Sequence, residues 1–136
     1  MDAAITVENL TRRFESLTVV DAVSFTVERG ELFGLLGPNG AGKTTIINML
    51  ITLLPPSSGS ARVGGFDVVR EKDAVRRHIG IVFQEPALDK DLTGKENLDF
   101  HGMMYGIPRA ERARRIAEVL DLVELSEKAD VLVQNY

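Results

Sequence analysis

Cysteine is absent from these 136 residues, which excludes disulfides and cysteine-ligated metals and is compatible with a reducing compartment. Only two histidines occur, His78 and His101, too few and too isolated to suggest a metal site. Long apolar runs are missing as well. The longest, residues 46–54, is interrupted by Asn48 and Thr52 and halted by Pro55-Pro56, at about half the length of a membrane span. Met1-Asp2-Ala3-Ala4 carries neither the basic start nor the apolar stretch of a secretory signal. The expectation is a chain soluble by itself that meets a membrane only through a partner. Nor is there an excess of basic residues. A net charge of −4 speaks against non-specific nucleic-acid binding, which needs a basic surface.

What is present is ordinary for a globular domain: 44% apolar and 26% charged residues, with no repeat, low-complexity segment or charged tail. A single domain of this length buries roughly two thirds of its unfolded surface. Residues 4–10 read as a short strand. Residues 19–27 alternate around Val23, Phe25 and Val27, the pattern of a half-buried antiparallel strand. After a turn at Glu28-Arg29-Gly30-Glu31, Leu32-Phe33-Gly34-Leu35-Leu36 is a continuous apolar run, predicted as a strand covered on both faces. A helix is predicted from Gly42 to about Leu53, and residues 60–69, with Gly64-Gly65 inside, as a strand. A short helix is predicted over 73–77, and Ile79-Gly80-Ile81-Val82-Phe83 as a second buried strand. Beyond Gln84 the pattern turns helical. Thr93-Gly94-Lys95-Glu96 has the spacing of a capping box opening a helix that runs to about Tyr105. Pro108 suits the first turn of another, with Ala113, Ile116, Ala117, Leu120 and Val123 at helical spacing.

The chemistry concentrates in Gly37-Pro38-Asn39-Gly40-Ala41-Gly42-Lys43-Thr44, a match to G-x-x-x-x-G-K-[ST]. The glycines let successive N–H groups curl inward on phosphate oxygens, a concavity that side chains would block. The helix starting near Gly42 adds the positive end of its dipole. Lys43 is placed to meet the β- and γ-phosphates of a nucleoside triphosphate, the Thr44 hydroxyl to ligate Mg²⁺, and Thr45 to donate on the α-phosphate side. Chance supplies such a match in roughly one chain of this length in two hundred. A buried strand before the loop and a helix after it is the context the motif requires.

Taken together, these residues resemble the nucleotide-binding domains of ATP-binding cassette (ABC) proteins along nearly the whole chain. Val20-Asp21-Ala22-Val23-Ser24-Phe25 leads into the loop as in that family. Gly37 to Thr45 is its usual wording of the loop, and Ile79 to Gln84 looks like the strand ending in its Q-loop glutamine. Leu92-Thr93 and Glu96-Asn97-Leu98 resemble the start of its helical subdomain, and the wording of 51–88 is similar to ATPase subunits of bacterial ABC-2 type drug and antibiotic exporters. The resemblance implies an α/β P-loop NTPase core, with an antiparallel β subdomain and a partial ATPase core over 1–90 and the beginning of the helical subdomain over 91–136. It implies ATP and Mg²⁺ as ligands. By the same resemblance, Phe14 sits where the family keeps an aromatic that stacks on adenine, and Gln84 where its glutamine reaches Mg²⁺ or the attacking water. A second copy and an ABC-2 permease are the implied partners, at the cytoplasmic face of the cell membrane. Phe100, Met103, Met104 and Tyr105 are candidates for the permease contact, or equally for packing within the helical subdomain.

Parts of the family pattern are missing. No run of four apolar residues after Lys43 ends in Asp, so the Mg²⁺-binding aspartate and neighbouring catalytic glutamate (Walker B) are absent, as are the Ser-Gly-Gly signature and the switch histidine. The sequence therefore reads as the N-terminal portion of a longer domain, one that binds ATP weakly without useful hydrolysis. In the family's sheet order the flanking strands of 32–36 are among the missing parts, which would leave that run exposed and prone to self-association. Two other P-loop readings are disfavoured: no Asn/Thr-Lys-x-Asp for guanine is present, nor an Arg-rich lid. An ABC ATPase without a transport role, or a non-catalytic nucleotide-binding module, remains the alternative. Arg109, Arg112, Arg114 and Arg115 alternate with Glu111 and Glu118, as on a solvated helix face rather than a nucleic-acid surface.

Overall fold

Residues 2–136 are described in a computed structural model, which divides into two compact units, one ending at Ile81 and the other spanning Val82–Tyr136. In the first unit, strands β1 (Ala3–Phe14) and β2 (Leu17–Glu28) form a long antiparallel hairpin. The helix α1 (Lys43–Leu50) follows, then β3 (Ser58–Val63), β4 (Phe66–Asp67) and the helix α2 (Lys72–His78). The sheet order is β2-β1-β3-β4, with antiparallel neighbours throughout. The register of β1 against β2 shifts between Val7 and Leu10, where Asn9 takes a positive φ, so the hairpin is bent rather than flat.

The bent sheet closes on α1. Val7, Leu10, Val20, Ala61 and Val63 from the strands, with Val68, meet Ile46 and Met49 of α1 and Val75 of α2 in one apolar cluster. Leu10, Met49 and Val75 have no exposed surface at all. That packing fixes the helix whose first residue is Lys43, and through it the preceding loop. The stretch predicted as one strand over 60–69 is instead a tight hairpin. Gly64 and Gly65 both have positive φ and reverse the chain between β3 and β4.

Two further sequence-based expectations are corrected. Neither residues 32–36 nor residues 79–83 form a strand, and both segments are irregular. A buried parallel strand exists only through ladder bonds to neighbours on both sides, and no described strand pairs with either run. Their apolar side chains are accordingly split. Leu35 and Ile79 pack against the core and Phe33 stacks on Phe25 with ring centroids 5.1 Å apart, whereas Leu32 and Val82 are fully exposed at 101% and 99%.

The second unit is helical, with α3 (Gly94–Met104) and α4 (Arg109–Leu122) followed by short 3-10 turns at Ser126–Lys128 and Val133–Asn135. The capping box forms as the sequence predicts: Thr93 Oγ1 accepts from the Glu96 amide at 3.1 Å, and the Thr93 amide donates to Glu96 Oε2 at 2.8 Å. Buried Asn97 ties the incoming segment to the helix. Its amide donates to the Asp89 and Thr93 carbonyls, and its oxygen accepts from the Asp89 amide. Pro108 stands at the N-cap of α4. On that helix Arg114 and Arg115 lie on the solvated face, paired with Glu118 and Glu111, but Arg112 turns inward to Asp99 Oδ1 at 2.7 Å and to the Ile107 carbonyl. Among the described residues, no helix is long and apolar enough to cross a membrane.

The amide N–H of Thr93, and secondarily its hydroxyl, hold the Glu96 carboxyl below its ordinary pKa. A depressed carboxylate contributes stability above the ordinary glutamate pKa and loses it as pH falls through the lowered value. The variant Thr93→Ala keeps the backbone N–H and removes only the hydroxyl, so the Glu96 titration, followed by carboxyl NMR, is expected to move part of the way back toward the ordinary range. Loss of the Thr93 cap itself is expected to cost about 1 kcal/mol in urea unfolding.

Candidate functional site

The loop 37–42 leaves the irregular apolar segment and ends where α1 begins. Its only internal turn bond, among the described residues, is from the Ala41 amide to the Pro38 carbonyl at 3.2 Å. The helix opens with the Ile46 amide donating to the Gly42 carbonyl at 2.9 Å. Between these, the amides of Asn39, Gly40, Gly42, Lys43 and Thr44 have no protein acceptor among the described residues. Five neighbouring N–H groups without partners at a helix start, on exposed or half-exposed residues except for the buried Gly42, are the donor set that an anion with several oxygens satisfies. Ala41 is the exception within the expected cradle, since its amide is already engaged. The first turn of α1 contains no acidic side chain and no capping side chain, so the positive end of the helix is uncompensated by the chain's own groups.

Glycine is required here for two different reasons. Gly42, the N-cap of α1, has φ 91 and ψ 8, the left-handed region. A Cβ there would lie 2.7 Å from the Val19 carbonyl oxygen and 3.1 Å from Val20 Cγ2, so the residue is both conformationally special and pressed against β2. Gly40 also has a positive φ of 82, but a Cβ on it would meet nothing within 4 Å, so only its backbone conformation is demanding. Lys43 is half-buried and donates from Nζ to the Gly37 carbonyl, closing the loop across its mouth. The ion pairs among the described residues all use arginine, so no carboxylate competes for this ammonium. Thr44 is exposed and Thr45 half-buried on the first turn.

Phe14 lies in the same unit, at the closed end of the β1–β2 hairpin opposite Leu17, with its side chain 42% exposed rather than in the core. One face of its ring is covered by the Arg12 guanidinium, 4.6 Å from the ring centroid. Sequence reasoning did not single out Arg12, although its position two residues before Phe14 on a strand was a signal that the two side chains share a face. Gln84 belongs to the second unit, exposed in the irregular segment ahead of α3. Among the described residues no three His, Asp or Glu side chains gather in a metal-holding cluster. The chain's hard-oxygen candidate beside the loop is the Thr44 hydroxyl. A single protein oxygen is in keeping with Mg²⁺, which keeps water and takes most of its remaining ligands from phosphate.

The contrast between the two glycines is testable. The variant Gly42→Ala is expected to lower stability by about 2 kcal/mol or more in urea unfolding, because strain and a clash with Val19 coincide. For Gly40→Ala the expected loss is about 1 kcal/mol, from strain alone.

Comparison with known proteins bears on the whole chain. The family profile described as ABC transporter matches residues 20–136. The linearmycin resistance ATP-binding protein LnrL of Bacillus subtilis is 45% identical over 129 residues, covering 95% of this chain and 42% of that protein. The daunorubicin resistance ATP-binding protein DrrA3 of Streptomyces coeruleorubidus is 40% identical, covering 99% of this chain and 43% of that protein. This chain thus spans about two fifths of the length of these curated relatives. Among solved structures, an ATP-binding subunit of an ABC transporter superposes with a TM-score of 0.81 at 30% identity, over 98% of this chain and 55% of that one. The protein cbiO1 of Clostridium perfringens, described as part of the ABC transporter complex cbiONQ, gives 0.87 at 25% identity, over 100% and 56%. With an amide-lined loop opening α1, an antiparallel sheet backing it and these matches along its length, the chain is a partial P-loop NTPase core and belongs to the ABC transporter family of ATP-binding subunits.

Proposed function

We propose that this chain binds the phosphates of ATP on the loop from Gly37 through Thr45, as the nucleotide-binding part of an ATPase subunit that powers an ABC-2 type exporter. The observation that carries the reading is the set of five partnerless amides from Asn39 to Thr44 around the Lys43 ammonium. In this reading Lys43 exchanges the neutral Gly37 carbonyl for anionic β- and γ-phosphate oxygens, so that both partners of the bond carry charge. Pro38 and Ala41 shape the turn through their mutual hydrogen bond, and Gly37, Gly40 and Gly42 keep the backbone free of side chains. Thr45 donates on the α-phosphate side, and Phe14 offers its exposed ring to the base. Mg²⁺ held by the Thr44 hydroxyl and phosphate oxygens would supply charge neutralisation at the β- and γ-phosphates, with Gln84 as its further contact or as a contact to the attacking water.

The division of labour we infer assigns residues 1–90 to the β subdomain and phosphate-loop part of the ATPase core, and 91–136 to the helical subdomain. The partners in this reading are a second copy of the subunit and an ABC-2 permease, which would hold it peripherally at the cytoplasmic face of the cell membrane. Drug or antibiotic efflux as the transported class is supported by the resistance proteins among the relatives. Phosphoryl transfer of this kind relies on positioning and electrostatics. The chain carries the phosphate-positioning groups but no strand-end Asp-Glu pair to hold the metal and polarise water. That second observation supports a narrower reading for these 136 residues, nucleotide binding without useful hydrolysis.

Calorimetric titration with ATP and Mg²⁺ tests the binding. Affinity is expected to fall roughly 10- to 100-fold in Lys43→Ala, the loss of one charge-assisted contact, and equal affinity would sink the proposal. Phosphate release from the unsubstituted chain is expected at background. Turnover that vanishes in Lys43→Ala would overturn the non-hydrolytic reading.

A further inference from the structure

The Arg12 side chain has an arrangement that sheet formation does not demand. Its Nη1 donates to the Pro55 carbonyl at 2.7 Å, just beyond the end of the helix that starts at Lys43. Its Nε is enclosed and has no acceptor. Its guanidinium carbon lies over one face of the Phe14 ring, 4.6 Å from the centroid. The backbone around it is stitched to the same segment, with the Arg13 amide donating to Ser57 Oγ at 3.0 Å and the Ser57 amide to the Thr11 carbonyl at 2.8 Å. An enclosed N–H without a partner is a cost, so hydrogen bonding alone does not account for where the guanidinium lies. What the position does achieve is to occupy one face of an otherwise exposed aromatic ring and hold it against a fixed carbonyl.

We propose that Arg12 is a positioning residue for the nucleotide base: anchored on Pro55, it backs one face of Phe14 and leaves the opposite face as the stacking platform. This rests on the reading that the loop holds the phosphates of a nucleotide whose base reaches Phe14. A ring at a hairpin end samples several rotamers, and fixing one of them before the ligand arrives removes an ordering cost from binding. A cation over the face of a half-exposed Phe supplies that restraint at a strength of roughly 1 kcal/mol, a factor of about five. Arginine does this better than lysine, because its planar fork can bond Pro55 and lie flat on the ring together, whereas a lysine ammonium can do one or the other.

The test separates base from phosphate. Calorimetry on the chain with ADP and with inorganic tripolyphosphate compares the unsubstituted protein with Arg12→Ala, Arg12→Lys and Lys43→Ala. In Arg12→Ala, ADP affinity is expected to fall about threefold to fivefold with tripolyphosphate affinity unchanged, and Arg12→Lys to recover part of the loss. Three results overturn the proposal: unchanged ADP affinity in Arg12→Ala, a gain in it, or a parallel loss for tripolyphosphate, which would mean that Arg12 acts through the fold or the loop. Failure of the underlying reading looks different, since Lys43→Ala would then leave both ligands unaffected.

Discussion

The site depends on the contact between Gly42 and the backbone of β2. The left-handed conformation of that residue turns the chain from the exposed loop into α1, and the Val19 carbonyl leaves no room for a side chain at the turn. Because Ile46 and Met49 bury α1 against the sheet, the helix start cannot drift, and the amides of Asn39, Gly40, Gly42, Lys43 and Thr44 stay together. An anion site built from backbone N–H groups is only as ordered as the backbone that presents them. Here the order comes from a core several residues away.

The same core organises the other half of the unit. The sheet that covers α1 also carries the β1–β2 hairpin to its closed end, where Arg12 and Phe14 meet. Pro55, beyond the far end of α1, is hydrogen-bonded to Arg12. The helix therefore connects two chemically distinct features. A run of amides without protein acceptors lies at its start, and an aromatic ring held by a cation is joined to its exit.

Membership in the ABC family rests on agreement of several kinds: the loop wording, the antiparallel sheet, the capped helix α3 and relatives at 40–45% identity across the chain. The family places further catalytic groups after an apolar strand, and the chain's apolar runs do not end in them. In physical terms, positioning a triphosphate and polarising a water molecule are separable tasks. The residues present are those that the proposed reading assigns to the first.

How far the sequence could be read depended on the range of the forces involved. The Thr93–Glu96 capping box and the α1 start after Gly42 are local: a hydroxyl three residues from a carboxylate, or a glycine free to take positive φ, acts whatever surrounds it. These were legible, whereas the Gly64-Gly65 turn, read as part of one strand over 60–69, was not, because the short β4 exists only by pairing with β3. The apolar runs 32–36 and 79–83 misled for the same reason. Hydrophobicity makes a strand possible, but ladder bonds to distant residues make it a strand, and no described strand supplies them. The inward turn of Arg112 to Asp99 and the placing of Arg12 over Phe14 were likewise decided by tertiary structure, since each depends on which long side chain meets which neighbour. By itself the sequence determined the phosphate-type loop and its local punctuation. Only packing across the chain decided what holds that loop in shape.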